Sequence, residues 1–145
     1  MWQKFYLRII DANFNRAKEA LRVAEDILRF VLNAKALSSR SKSLRHRLTQ
    51  ILLTLPVPYA KIVEARKVRS DVGRENFVSD SRKPRPRDIF LRNIKRSQEA
   101  IRVLEEVVRA VSPDQAEAFE RLRFSVYDLE KQALKKFQTL RSHRS

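Results

Sequence analysis

The sequence is poor in the residues on which several common kinds of site depend. Its 145 residues include no cysteine, one glycine and two histidines. The absence of cysteine excludes disulfides, thiolate nucleophiles and cysteine-ligated zinc, and it fits a reducing cytoplasm. A single glycine argues against the glycine-rich loops that hold nucleotide phosphates. No metal-ligand spacing surrounds His46 or His143, and no Ser-His-Asp arrangement is legible.

Long hydrophobic runs are missing as well. The N-terminal stretch MWQKFYLRII is interrupted by Lys4 and Arg8, and no small-residue cleavage site follows, so it does not read as a signal peptide. No apolar run approaches the length that crosses a bilayer, which excludes a membrane partner and predicts a soluble, cytoplasmic protein. The chain is long enough for one domain with a substantial core.

Positive charge is abundant. The 32 Lys and Arg residues outnumber the 17 Asp and Glu residues, and the formal net charge is +15. This excess favours anionic partners, from nucleic acid to small phosphates. However, the basic residues are spread along the whole chain and interleaved with Glu, as on solvated helix faces. Charge alone therefore does not choose among these partners.

One charged stretch of the sequence is repeated. Residues 13–30 read NFNRAKEALRVAEDILRF, and residues 93–110 read NIKRSQEAIRVLEEVVRA. The charged positions are kept better than the apolar ones. Leu44-Arg45 and Leu122-Arg123 follow at similar distances, which extends the repeat to a helical hairpin. The pattern predicts an all-α fold in which a duplicated helical hairpin forms a four-helix-bundle-like core.

We predict a single all-helical domain over residues 1–145. It comprises a first repeat, a connecting short helix with a loop, and a second repeat, at about residues 11–55, 56–86 and 87–140. Asp11, Asp88 and Ser112 are predicted to cap helices. Residues 1–10 alternate loosely between polar and apolar, as an extended segment would.

The repeated helix has two kinds of charged position. A helix turns by about 100° per residue, so its side chains can be assigned to faces. The face opposite the apolar stripe is predicted to carry six charged residues: Arg22, Glu25, Arg29, Arg102, Glu105 and Arg109. There we expect exposed Glu25–Arg29 and Glu105–Arg109 ion pairs, which stabilise a helix little.

The second kind lies at or inside the edge of the apolar stripe, and consists of Asn13, Arg16, Glu19 and their copies Asn93, Arg96 and Glu99. In one interpretation these side chains bond only to their own helix. In the other they line a cleft where the two copies meet. There Arg binds phosphate, Asn binds a ring edge, and Glu orients Arg or holds a metal through water. We favour the cleft, because an unpaired polar group on an apolar stripe costs stability.

The only glycine lies in the loop sequence Asp71-Val72-Gly73, for which two interpretations stay open. In the first, Gly73 supplies a positive φ in a turn that Asp71 caps. In the second, the backbone at Gly73 approaches a ligand while Asp71 binds a cation or accepts a proton. Arg66 and Arg69 would then lie near phosphate.

Several stretches together resemble a known family: RIIDANFNRAKEALRVAED, SLRHRL, RSDVG, RSQEAIRVLEE and RLRFSVYDLE. They are similar to the type-2 phosphomethylpyrimidine kinases, a small helical domain often fused in front of thiamine-phosphate synthase. The resemblance runs from Arg8 to Leu134. It implies phosphorylation of hydroxymethylpyrimidine phosphate to the diphosphate in thiamine biosynthesis, with ATP and Mg²⁺. Arginines and helix N-termini can supply the positioning and charge neutralisation that phosphoryl transfer needs.

With this resemblance we expect catalytic roles for Asp71, Glu19 and Glu99. Binding of substrate or phosphate is expected of ten residues: Asn13, Arg16, Arg22, Arg45, Arg66, Gly73, Asn93, Arg96, Arg102 and Arg123. The metal ligands are not predicted, and whether the chain forms a homodimer stays open. Two alternatives are a basic helical module that binds nucleic acid, which is the less favoured partner, and a non-catalytic module that docks on a thiamine-pathway enzyme.

Overall fold

The computed structural model describes residues 2–73 and 82–142, and over this part of the chain the fold is all-α. The helices are α1 (Lys4–Asp26), α2 (Lys35–Leu53), α3 (Tyr59–Glu64), α4 (Pro86–Val111) and α5 (Pro113–Ser142). A π-helical turn, Ile27–Val31, continues α1. The predicted duplicated hairpin is confirmed, with α1 and α2 as its first copy and α4 and α5 as its second.

The four long helices pack as an antiparallel bundle. Helix α1 packs most extensively against α4, and α2 packs against α5. Helices α2 and α5 are antiparallel, because Gln115 at the start of α5 donates to the carbonyl of Thr54, just after α2. Val31 and Leu32, at the end of α1, share a cavity with the first residues of α4, Pro86 among them. Helices α1 and α4 therefore also run in opposite directions.

The core lies where the apolar stripes of the four helices meet. Its largest fully buried side chains come from every helix of the bundle: Ile10, Leu21, Leu28, Leu48, Leu52, Phe90, Ile94, Ile101, Leu104, Phe119 and Leu122. Each contributes about 1.5–3 kcal/mol relative to an exposed position. Short helix α3 covers one end of the bundle with Ile62, which is 1% exposed. Tyr59 on α3 places its ring edge-on to that of Phe14, with 6.2 Å between centroids.

Helix α1 begins at Lys4 rather than at Asp11. The prediction of an extended segment over residues 1–10 is therefore wrong from Lys4 onward. The reason is that Leu7 and Ile10, both buried, continue the apolar stripe of α1 towards the N-terminus. The predicted capping role of Asp11 is also wrong, because this residue lies inside the helix and is only 4% exposed.

The predicted caps Asp88 and Ser112 both lie at the start of a helix, although α4 begins at Pro86, two residues before Asp88. Asp88 accepts a hydrogen bond from the backbone N–H of Arg85 at 3.1 Å and so caps α4 from inside its first turn. Ser112 lies between α4 and α5, and its hydroxyl bonds to the side chain of Gln115. Part of the predicted loop, residues 74–81, and the terminal residues 143–145, with His143, lie outside the described residues. His46 is exposed.

The first helix of each hairpin, α1 or α4, ends in a different way. After the π-helical turn, Asn33 adopts a φ of 50°, a left-handed conformation that Asn tolerates at helix ends. The N–H of Ala34 then donates to the carbonyl of Leu28 at 2.9 Å. Helix α4 instead stays α-helical to Val111, and Ser112 alone separates it from α5. No helix in the described ranges is long and apolar enough to cross a membrane.

Candidate functional site

Two Glu–Arg pairs occupy matching positions in the two hairpins. Glu105 is 1% exposed, and Nε of Arg123 donates to its Oε2 at 2.9 Å. Glu25 is 5% exposed, and its carboxylate lies 3.5 Å from Nη2 of Arg45. The prediction that Glu25 and Glu105 face outward is wrong, because an arginine from the second helix of each hairpin covers each carboxylate. The carboxylates tie the helices of each hairpin together.

The surroundings of the pair in the second hairpin favour the charged form of both partners. Burial alone would raise the pKa of Glu105, but hydrogen bonds from Arg123 and Arg109 hold it below its ordinary value. Burial is the largest single influence on the pKa of Arg123 and alone would lower it, but hydrogen bonds and charge interactions with Glu105 and Tyr127 together raise it. Arg45 and Arg123 are both engaged by carboxylates, and their role as phosphate ligands stays a prediction.

The two asparagines predicted to line a cleft bond to their own helices. Nδ2 of Asn13 donates to the carbonyl of Ile9 at 2.9 Å, and Nδ2 of Asn93 donates to the carbonyl of Ile89 at 2.8 Å. Each asparagine lies in the first half of its helix, as the tenth residue of α1 and the eighth of α4, and the two helices are antiparallel. The two side chains therefore lie towards opposite ends of the interface, and the structure does not bring them together in one cleft.

The remaining predicted residues of the repeated helix lie on the surface. Four of them are exposed side chains on α1 and α4: Arg16, Glu19, Arg96 and Glu99. Nη1 of Arg16 is 3.5 Å from Oδ1 of Asn13. Glu99 and Arg102 line a shallow cavity of about 420 Å³ together with Tyr127. Their catalytic and binding roles stay predictions.

A bidentate ion pair joins α1 to the segment that follows α3. Nε and Nη2 of Arg66 donate to the two carboxylate oxygens of Asp11, each at 2.7 Å. Nδ2 of Asn15, one turn further along α1, donates to the same carboxylate at 3.2 Å. The hydrogen bond with Asp11 raises the pKa of Arg66. Because the Arg66 side chain is 39% exposed, the oriented guanidinium still reaches solvent, and its predicted phosphate contact stays a prediction.

The turn that contains the only glycine is closed by a side chain. Oδ1 of Asp71 accepts a hydrogen bond from the backbone N–H of Gly73 at 2.9 Å. This Asx turn confirms that Asp71 caps the turn. The positive φ predicted for Gly73 is wrong, since its φ is not in the left-handed region. Asp71 and Gly73 are both exposed, and their proposed roles towards a ligand stay predictions.

A groove of about 890 Å³ lies between the start of α1 and the segment that contains α3. Its walls include the apolar side chains of Trp2, Phe5 and Val57. Four basic residues also line it: Lys4, Arg8, Lys61 and Lys67. Glu64 lies in the same groove and pairs with Lys61 at 3.3 Å. Pockets that hold small organic ligands have volumes of about 300–1,000 Å³.

This groove combines the two features that a phosphorylated aromatic ligand requires. Apolar walls can bury a ring, and ammonium and guanidinium groups can neutralise phosphate oxygens. The groove adjoins the oriented Arg66, because Ala65 and Lys67 both line it. The sequence pattern does not indicate the groove, because the first turns of α1 have the loose polar–apolar alternation of an extended segment. The two basic residues Lys61 and Lys67 were the feature of the sequence that could have indicated this groove.

Within residues 2–73 and 82–142, no group of three or more His, Asp or Glu side chains is arranged to hold a metal ion. Mg²⁺ in phosphoryl-transfer sites is commonly held by one or two carboxylates together with substrate phosphates. Glu64 in the groove is a carboxylate of that kind. The donor set is therefore compatible with a metal that is bound largely through phosphates.

The fold defines a basic, all-helical bundle protein with a groove beside α1 that basic side chains line. The chain belongs to the ThiD2 family, whose profile matches residues 8–132. It is 40% identical over 125 residues to a thiamine-phosphate synthase of Synechococcus sp. (strain CC9311), a match that covers 85% of this chain and 33% of the relative. A thiamine-phosphate synthase of Gloeobacter violaceus (strain ATCC 29082 / PCC 7421) is 35% identical over 132 residues, which is 90% of this chain and 37% of the relative.

The chain thus spans about a third of the length of the curated relatives it matches. No solved structure matches it.

Proposed function

We propose that the protein is an ATP-dependent kinase that converts hydroxymethylpyrimidine phosphate to the diphosphate in thiamine biosynthesis, in the cytoplasm. Membership of the ThiD2 family and the similarity to thiamine-phosphate synthases support a role in that pathway. The observation that carries the reaction itself is the groove beside α1. It offers an apolar wall and a basic lining in one cavity of about 890 Å³.

The groove suits both proposed substrates in size and charge. Each consists of an aromatic ring system and phosphate groups. Trp2 and Phe5 offer apolar surface to a ring, and Lys4, Arg8 and Lys67 offer positive charge to phosphates. Phosphoryl transfer depends mostly on positioning and on neutralisation of negative charge, which a cluster of cations provides without a glycine-rich loop. Mg²⁺ bound to ATP would add Lewis-acid charge neutralisation between the phosphates.

The chemistry requires no strong base from the protein. An oxygen of the acceptor phosphate attacks the γ-phosphorus of ATP, the bond from that phosphorus to ADP breaks, and ADP leaves with the electron pair. A phosphate monoester has a second pKa of about 6, so the attacking oxygen is already ionised at neutral pH. The predicted catalytic carboxylates, Asp71, Glu19 and Glu99, are therefore not needed for proton abstraction, and none of them lines the groove.

The proposal is tested by incubating the protein with ATP, Mg²⁺ and hydroxymethylpyrimidine phosphate and following the diphosphate by ³¹P NMR. We expect product. Arg8→Gln and Lys61→Gln should each lower kcat/KM by about tenfold or more, since each removes a cation from the groove. Arg121→Gln is the matched control, because this exposed arginine pairs with Glu117 on α5 and should change kcat/KM less than about twofold. Folded protein that yields no product would overturn the proposal.

The same assay tests the cleft predicted from the repeat. Arg16→Ala and Arg96→Ala should lower activity without loss of helicity if these exposed arginines bind substrate. Unchanged activity in both variants would reject that cleft and leave the groove as the reaction site.

A second candidate function is a non-catalytic module that docks on a thiamine-pathway enzyme. The observation that favours it is that this chain corresponds to about a third of each thiamine-phosphate synthase it matches. This candidate predicts no diphosphate product, and it predicts instead a stable complex with a thiamine-phosphate synthase in sedimentation experiments. Steeply salt-dependent binding to RNA or DNA, also without product, would point to a nucleic-acid module.

A further inference from the structure

A second, smaller cavity lies in the first hairpin, where the end of α1 meets the start of α2. Its volume is about 330 Å³. Three cations, two hydroxyl-bearing side chains and one carboxylate line it: Arg22, Arg29, Lys42, Ser38, Ser39 and Glu25. We call it the hairpin-1 pocket. Its donors are of the kinds that bind phosphate oxygens.

The corresponding place in the second hairpin has the opposite charge balance. The buried positions of α2 and α5 match in the order Ser41/Phe119, Leu44/Leu122, Leu48/Val126 and Ile51/Leu129. In this register Ser39 and Lys42 correspond to Glu117 and Glu120. At the seven matched positions the first hairpin has four cations and two carboxylates, namely Arg22, Arg29, Lys42, Arg45, Glu25 and Asp26. The second has three cations and four carboxylates, namely Arg102, Arg109, Arg123, Glu105, Glu106, Glu117 and Glu120.

The π-helical turn explains why Arg29 has no carboxylate partner in the described part of the chain. In α4, which stays α-helical, Nη2 of Arg109 lies 3.0 Å from Oε1 of Glu105. The extra residue per turn in Ile27–Val31 shifts Arg29 out of that register. The Arg29 guanidinium lies instead over the ring of Phe30, 4.8 Å from its centroid. Among residues 2–73 and 82–142, Arg29 has no carboxylate partner. The predicted Glu25–Arg29 ion pair is therefore absent from the described part of the chain.

The carboxylate in the pocket wall already has two cationic partners. Glu25 is contacted by Arg45 at 3.5 Å and by Arg22 at 3.3 Å. Lys42, like Arg29, has no acidic partner within the described ranges. The first turn of α2 carries no acidic residue, whereas that of α5 carries Asp114. The positive end of the α2 dipole is thus left without a fixed counter-charge, which adds to the field of the two free cations.

We propose that the hairpin-1 pocket is a binding site for the phosphate groups of a diphosphate or polyphosphate ligand, and that the second hairpin has no equivalent site. The pocket is separate from the groove beside α1. Arg8 in the groove and Arg22 in the pocket are fourteen residues apart on one helix, which corresponds to about 21 Å at 1.5 Å per residue. The site therefore stands whether or not the kinase activity is found.

Isothermal titration of the full chain with inorganic pyrophosphate tests this site directly. The double variant Arg29→Gln/Lys42→Gln should weaken binding by at least about tenfold, because it removes both unpaired cations. Arg109→Gln is the matched control: the same residue type at the equivalent position of the second hairpin, already held by Glu105. Its effect should stay below about twofold. All titrations use one ionic strength, since anion binding is screened by salt.

Two results would overturn the inference. In the first, the double variant binds pyrophosphate as tightly as the wild type, or neither binds it. In the second, Arg109→Gln weakens binding as much as the double variant does, which would mean a diffuse response to net charge. A parallel titration with ATP distinguishes the ligand source. Tighter binding of ATP than of pyrophosphate, lost in the double variant, identifies a nucleotide, whereas equal affinities identify the phosphate chain alone.

Discussion

The two buried Glu–Arg pairs show how two copies of one motif diverge. In the second hairpin, Arg123 approaches Glu105 at 2.9 Å, and Arg109 adds a contact at 3.0 Å. The Arg123 guanidinium also lies 5.0 Å from the ring centroid of Phe124. In the first hairpin, Arg45 is 3.5 Å from Glu25, and its buried Nε has no hydrogen-bond partner in the described structure. The second pair is therefore held by short hydrogen bonds, whereas the first is held at a longer distance and leaves a buried donor unpaired.

One backbone feature accounts for much of this difference. A regular helix in α4 lets Arg109 join Glu105, whereas the π-helical turn after α1 turns Arg29 away from Glu25. The second hairpin thus uses its charges to hold helices together. The first leaves cations unpaired at the surface of a pocket. π-helical turns are frequently found at functional sites, and this one is the structural basis of the proposed phosphate site.

The largest effect is expected from Glu105→Gln. This change removes the charge that compensates the buried Arg123, and breaking a buried pair in this way costs about 3–5 kcal/mol. The free energy of unfolding from urea titrations should fall by about that amount. The control is Glu106→Gln, an exposed neighbour, which should change it by less than about 0.5 kcal/mol. A loss below about 1 kcal/mol in Glu105→Gln would mean that Glu105 and Arg123 do not form the buried hydrogen-bonded ion pair described here.

A smaller loss is expected from the equivalent change in the first hairpin, Glu25→Gln. Arg45 is held at a longer distance and is 12% exposed, so it recovers more hydration when its partner is neutralised. We expect a decrease of about 1–2 kcal/mol in the free energy of unfolding. Equal losses in Glu25→Gln and Glu105→Gln would contradict the distinction between the two pairs.

The stability of the protein should fall in acid, partly through Glu105. Its pKa is lower in the folded protein than in the unfolded chain, so ionised Glu105 stabilises the fold at pH values above the unfolded pKa. That contribution is lost as the pH falls through the folded pKa. Urea midpoints measured between neutral pH and about pH 3 should therefore drop less steeply in Glu105→Gln than in the wild type. Parallel pH profiles would rule out this linkage.

The smallest effect separates Arg109 from Arg29. Arg109→Ala removes an ion pair with Glu105 and should lower the free energy of unfolding by about 0.5 kcal/mol. Arg29→Ala removes no ion pair among the described residues and should leave thermal stability nearly unchanged. If Arg29→Ala destabilised the protein more than Arg109→Ala, Arg29 would have a structural role in the hairpin.

Much of the fold follows from local sequence signals. The repeat predicts two hairpins, and the apolar periodicity predicts the four long helices. Asp88 and the Ser112-Pro113 junction mark helix starts that the structure confirms. The candidate site could not be predicted in the same way, because the groove beside α1 is assembled from segments that are distant in sequence and share no motif.

What the sequence determined by itself is the set of amphipathic helices and their order, because helical periodicity and capping act over a few residues. Which charges are buried depends instead on how the helices pack against one another. A helical wheel places Glu25 and Glu105 opposite the apolar stripe, but the second helix of each hairpin packs over the carboxylate and supplies an arginine to it. The sequence around Asp11 predicts a helix cap, but in the structure Asp11 lies inside α1 and binds Arg66, which is remote in sequence. Burial of a charge depends on what packs against it, and the surrounding sequence does not carry that information.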